Sequence, residues 1–139
     1  MTRVEGDKKI GNTLGRLGED IACRFLENKY FEIIDRNYRK KCGEIDIVAI
    51  KDLKVHFIEI KSKSFKFKEN DVTHETSNKY RAEENIHMWK IERLKRVIQL
   101  YIQEKRVSPE TSWYFDVVIV KIDSETKKSI VIFLEDIII

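Results

Sequence analysis

The feature that most restricts this chain is a pair of apolar runs, Gly43-Glu44-Ile45-Asp46-Ile47-Val48-Ala49-Ile50 and Phe57-Ile58-Glu59-Ile60-Lys61, set close together around the polar break Lys51-Asp52-Leu53-Lys54. Isoleucine, valine and phenylalanine alternating with other residues favour pleated strand, in which positions two apart share a face. The break is too short for anything but a hairpin, so the two runs pair antiparallel. A turn centred between Asp52 and Leu53 sets Asp46 directly across from Glu59 and Glu44 across from Lys61. Directly opposed side chains have Cβ atoms roughly 4.5 to 5.5 Å apart, where like charges destabilise a sheet. A shared proton offsets the repulsion by raising one carboxyl pKa, whereas a divalent cation offsets it more completely and uses both groups as ligands. Asp52-Leu53 is not the Asn-Gly or Asp-Gly pair that fixes a two-residue turn. A symmetric four-residue loop keeps the register, and a slip by one residue destroys it.

At 139 residues the chain suits one domain. Asn12 or Thr13 caps a helix running to about Asn28, with Leu14, Leu17, Ile21 and Phe25 at helical spacing. Strands are predicted over 31–39, 43–51, 54–63, 113–122 and 129–137, with a second helix over about 83–105 and a turn at Asp123-Ser124-Glu125-Thr126 between the last two strands. Residues 1–10 read as a flexible leader. Residues 64–81, polar and without periodicity, read as a long mobile loop of the kind that often carries function. A meander followed by a crossover helix predicts a single α/β domain, a central mixed sheet with flanking helices. Apolar content of 42% and charged content of 37% suit a soluble globular protein, and no apolar stretch is long enough to cross a membrane. The first residues lack the apolar core of a signal peptide, so a cytoplasmic location is expected. Cys23 and Cys42 match neither a disulfide framework nor a paired-thiolate zinc site and read as reduced thiols.

Net charge is only +3, so the distribution of charge matters more than its sum. Lys61, Lys63, Lys66 and Lys68 interleave with Phe65 and Phe67, and a second basic cluster runs Lys90, Arg93, Lys95, Arg96. Basic groups among aromatics attract a phosphate backbone, although a solvated loop and an exposed helix face would look the same. Lys90 falls in line with Ile86, Leu94, Val97 and Tyr101, where it either reaches along its methylenes to water or contacts phosphate. Lys63 and Lys90 are therefore the candidate nucleic-acid contacts. Asp116, within an apolar strand, is expected to pair with a basic side chain. His56, His74 and His87 are scattered, and His56 faces away from Glu59, which disfavours a histidine zinc site. Gly11, Gly15 and Gly18 fit no nucleotide-binding loop and are expected to permit close helix packing. The end Ile137-Ile138-Ile139 either joins the core or forms a subunit contact in a homodimer.

Asp46, then Glu59-Ile60-Lys61 on the next strand, preceded by a helix bearing Glu19, resembles the PD-(D/E)XK nuclease superfamily. More narrowly, Gly18-Glu19-Asp20-Ile21-Ala22, Arg36-Asn37-Tyr38-Arg39, Gly43 to Ala49 and Phe57 to Lys61 are together similar to the YraN family of small bacterial proteins, which resembles archaeal Holliday junction resolvases. The similarity spans residues 11 to 120. Ile45 stands where the superfamily name has proline, and Ser62-Lys63 where threonine and arginine are typical. The resemblance implies a restriction-endonuclease-like fold and hydrolysis of DNA phosphodiesters, branched DNA included. It implies Asp46 and Glu59 as carboxylate ligands of Mg²⁺ (or Mn²⁺), the backbone carbonyl of Ile60 as a third ligand, and Glu19 as an acid completing the site. Such hydrolysis needs an activated water and charge stabilisation, which a hard divalent cation on oxygen ligands supplies. Lys61, beside two carboxylates, stays protonated and acts electrostatically rather than as a base. The alternatives are that Asp46 and Glu59 form an ion pair with Lys61 and need no metal, that Glu19 is a boundary residue of a surface helix, and that Glu44 pairs with Lys61 or faces solvent. A nucleic-acid-binding module that keeps the fold without turnover is the competing function.

Overall fold

Asp52 (φ 51°) and Leu53 (φ 63°) both adopt the left-handed conformation, and Lys51 pairs with Lys54 across them. Two left-handed residues in succession make the type I′ turn whose twist matches that of a hairpin, here without glycine or asparagine. The turn is therefore shorter than the four-residue loop considered from sequence, yet its centre is the same. Ile47–Ile58, Val48–Phe57 and Ala49–His56 pair as the sequence predicts.

The computed structural model describes the backbone of residues 2–66 and 88–139 and the side chains of residues 13–66 and 90–139. Its strands β1 (Glu32–Lys40), β2 (Gly43–Lys51), β3 (Lys54–Ser64), β4 (Trp113–Ile122) and β5 (Ser129–Leu134) lie side by side in chain order, with helices α1 (Thr2–Asn28) and α2 (Met88–Glu104). β3 and β4 run parallel, and every other neighbouring pair is antiparallel. A parallel pair needs a crossover connection, and α2 lies within it. The two helices cover opposite faces. Ala22, Cys23 and Leu26 of α1 pack with Ile47, Ala49, Ile58, Val118 and Val120. Val97, Ile98 and Tyr101 of α2 pack with Ile45, Val48, Phe57, Phe115 and Val117. The result is a single α/β domain with a five-stranded mixed sheet, consistent with a restriction-endonuclease-like fold.

Both helices stop by the same device. Phe31 N–H donates to Leu26 O and Tyr30 N–H to Glu27 O, with Tyr30 left-handed (φ 71°). Val107 N–H donates to Ile102 O and Arg106 N–H to Gln103 O, with Arg106 left-handed (φ 53°). These are Schellman ends, which satisfy carbonyls the last turn leaves unpaired, and Leu26 and Phe31 join one core as such ends favour.

α1 begins at Thr2, earlier than the capped helix and flexible leader read from sequence. The stripe that marked the helix starts only at Leu14, but propagation needs no apolar stripe and no proline interrupts residues 2–13. β3 runs to Ser64, one residue into the loop expected over 64–81; that loop from residue 67 onward, and residues 83–87 of the expected second helix, lie outside the described residues. β5 ends at Leu134 rather than Ile137: Asp136 is left-handed (φ 51°) and donates its N–H to Asp116 Oδ1, and Ile137 N–H returns to Phe115 O of β4 one residue out of register. Ile137 and Ile139 pack against the α2-side core while Ile138 is exposed, so this tail belongs in part to the core.

Close packing of α1 on β3 rests on Gly18. A Cβ there would lie 1.8 Å from Ser62 Oγ and 2.8 Å from Ser62 Cβ, whereas one at Gly15 would meet nothing within 4 Å. Gly18→Ala should therefore lower stability by about 1–3 kcal/mol despite alanine's better helix propensity. Ser62→Gly in the same chain should recover most of the loss, as chemical denaturation of the single and double variants would show.

Candidate metal and phosphodiester site

The pleat turns over where the acids begin. Ile45 packs on the α2 side and Ile47 on the α1 side, although residues two apart in a regular strand share a face. The neighbouring strand does the same, since Arg36 reaches α1 while Tyr38 packs against Tyr101 of α2, and Asn37 between them is left-handed (φ 55°). Asparagine tolerates that conformation better than most residues. Asp46 sits at the inversion, so its carboxylate lies near the sheet plane rather than above or below it. There Oδ2 accepts the backbone N–H of Ile60 at 2.8 Å. The β2–β3 ladder accordingly ends at Ile47–Ile58, and the direct Asp46–Glu59 opposition expected from regular pairing gives way to a side chain-to-backbone clasp.

Alternation along β3 explains the rest. Val55 and Phe65 donate to Ser112 and Ile122, so odd-numbered peptide groups face β4 and even-numbered ones face β2. The N–H and C=O of one strand residue point the same way. The Ile60 carbonyl thus faces the side on which Asp46 clasps its N–H. The side chains of Ile58 and Ile60 belong to the α1-side core, so Glu59 and Lys61 project toward α2. Lys90 Nζ of α2 meets Glu59 Oε1 at 2.6 Å.

An open cleft of about 870 Å³ lies on the other side, between α1 and the first three strands. Gly15, Arg16 and Glu19 line one wall, Asn37 and Arg39 another, with Glu44, Asp46, Ile60 and Ser62 completing it. Glu19 is largely shielded and accepts from Arg36 Nε at 3.0 Å and Asn37 Nδ2 at 2.9 Å. It is therefore neither an idle surface acid nor free in this state. Glu44 pairs with Arg39 at 3.1 Å rather than with Lys61. Lys63 is exposed near the end of β3. Asp116 is fully buried and does find a basic partner: His56 Nδ1 lies 2.7 Å from Oδ2, and Asp136 N–H donates to Oδ1 at 2.8 Å. Both cysteines are free thiols.

Burial, and then the fields of Glu44, Glu59 and Glu19, push the Asp46 carboxyl up to about 6, with the Ile60 N–H pulling it back only in part. Lys61 is lowered, first by burial and then by Lys90. Among the described residues no three His, Cys, Asp or Glu side chains converge as a metal cage. The reason is local, since Lys90 holds Glu59 and Arg36 with Asn37 holds Glu19. The donor set still fits a hard cation: Asp46, half-buried and without an ion-pair partner of its own among the described residues, feels three neighbouring carboxylates, and a backbone carbonyl is directed to the same edge, so oxygen ligands are on offer.

Sequence reasoning did not foresee Arg36, Asn37 or Lys90 as the groups that hold the acids, nor Arg16 and Arg39 on the cleft. A signal for the first two existed. Arg36-Asn37 places a charge and a turn-prone amide inside a predicted strand, which a regular strand has no use for.

The Asp46 carboxyl lies above its ordinary value near 3.8, so the stability it contributes is fully present below about pH 4 and is lost as pH climbs through 6. The loss is about 3 kcal/mol. Asp46→Asn, which keeps an oxygen for the Ile60 N–H but cannot ionise, should remove this component. Its stability at pH 7, measured by urea denaturation, should exceed that of the parent, with the difference vanishing by pH 4.

Residues 18–120 match the uncharacterised protein family UPF0102. The chain is 38% identical over 109 residues to a UPF0102 protein of Campylobacter jejuni subsp. doylei, covering 78% of this chain and 84% of that one. It is 40% identical over 107 residues to a UPF0102 protein of Aliarcobacter butzleri, covering 76% and 84%. A UPF0102 protein of Campylobacter lari is 62% identical over 48 residues, 34% of this chain and 43% of its own. These similarities, running through α1, the hairpin and the sheet that carry the cleft, show that the chain belongs to the UPF0102 (YraN) family.

Proposed function

We propose that this protein is a metal-dependent endonuclease of the PD-(D/E)XK type that hydrolyses DNA phosphodiester bonds, branched DNA included. The observation that carries this reading is Asp46: a half-buried carboxylate raised to about 6, clasped to the backbone of the strand that bears Glu59 and Lys61. Such a perturbed acid beside a cleft marks a functional group more often than a structural one. A bound Mg²⁺ or Mn²⁺ would supply charge neutralisation and an activated water. Asp46, Glu59 and the Ile60 carbonyl would hold it. Lys61, close to them on β3, offsets negative charge that develops on the phosphate. Glu19 faces the same cleft and exerts its field on Asp46, which suits an acid acting through water. Arg16 and Arg39 give the cleft walls two guanidinium groups for phosphate, and Lys63 and Lys90 extend positive charge beyond it. The reading carries a cytoplasmic location with it; among the described residues no helix is long and apolar enough to cross a membrane.

The pairing of Glu59 with Lys90 favours a second reading, a nucleic-acid-binding module that keeps the fold without turnover. One experiment separates the two. Linear, flapped and four-way DNA would be incubated with the protein while Mg²⁺ or Mn²⁺ is titrated. The expected outcome is cation-dependent cleavage that falls about 10²–10³-fold or more in Asp46→Ala and Glu59→Ala. DNA binding, followed by fluorescence anisotropy with its salt dependence, should persist in both variants. Binding without cleavage of any substrate at any cation concentration would establish the second reading instead.

A further inference from the structure

We propose that Lys90 is the internal counterion of Glu59, holding that carboxylate toward α2 until a divalent cation beside Asp46 takes its place. The proposal rests on the metal reading above and adds a positioning residue to it. The 2.6 Å contact is the shortest ion pair among the described residues. Its geometry follows from the fold. Leu94, Val97 and Tyr101, on the same helical stripe as Lys90, pack in the α2-side core and aim the lysine at the sheet rather than at water. Lys61 projects from β3 on the same side as Glu59, so this carboxylate already stands among two ammonium groups. A third cation on the same oxygens would be strongly repelled. Lys90 is the group able to leave, because its side chain is 41% exposed and has a path to solvent. Glu59, whose field already reaches Asp46, is then free to turn toward it.

Mn²⁺ titration calorimetry on the full chain tests the exchange. Lys90→Met should bind Mn²⁺ about tenfold more tightly than the parent, and Lys90→Arg, which keeps the charge, should remain close to it. The gain should vanish when Glu59→Gln is added to Lys90→Met. A second measurement needs no variant: acetylation of Lys90 by an amine-reactive ester should accelerate several-fold when Mn²⁺ is added, while exposed Lys127 stays constant. A pair that only braces α2 predicts the opposite pattern, with Mn²⁺ affinity in Lys90→Met unchanged or weaker and Lys90 reactivity indifferent to Mn²⁺. Either of those results, with the parent binding Mn²⁺, overturns the exchange and leaves the nuclease reading standing. Absence of Mn²⁺ binding in the parent and in Lys90→Met overturns both.

Discussion

The hydrogen bond from Ile60 N–H to Asp46 Oδ2 organises what surrounds it. By taking a donor that would otherwise belong to the β2–β3 ladder, the carboxylate ends backbone pairing at Ile47–Ile58 and opens the strands beyond. The inversion of the pleat at Asn37 and Asp46 makes this possible, because a side chain held in the regular pleat could not lie in the plane of its own sheet. The same feature divides the neighbourhood in two. Glu19 and Glu44 approach Asp46 from the cleft side, while Glu59 is reached from the side of α2. Asp46 is the point at which both sides are felt: burial first, and then the fields of Glu44, Glu59 and Glu19, raise its pKa.

Much of the architecture could be read from residues alone because the patterns were strong and local. β2 and β4 match their predicted limits, and the hairpin takes the register expected for a turn centred between Asp52 and Leu53. What misled was turn chemistry: Asp52-Leu53 makes a glycine-like turn without glycine, since pairing on both sides of it over-determines the strained conformation. The start of α1 was missed for a different reason. Periodicity reports where a helix is buried, not where it begins.

The candidate residues could be picked out from the sequence, but their connections could not. Asp46, Glu59 and Lys61 stand out because charges inside apolar strands are costly. Their mutual geometry was inferred from strict two-residue alternation, which fails where an acid displaces a ladder hydrogen bond. The Lys90–Glu59 pair joins residues far apart in sequence, and only the placement of α2 on β2 and β3 could reveal it. Glu19 was visible as an acid beside small neighbours, but its partners Arg36 and Asn37 emerge from a strand that reverses its faces.

The two helix ends carry a further implication. Tyr30 and Arg106 occupy a conformation that favours glycine, and Tyr30, 87% exposed, gains almost no burial in return. Each such stop forfeits up to about 1 kcal/mol that glycine would retain. For α1 this slack sits beyond the part of the helix that lines the cleft, at the end that feeds β1. The chain's thermal margin can therefore be widened there without disturbing the carboxylates, which makes robustness and chemistry separately adjustable properties of this scaffold.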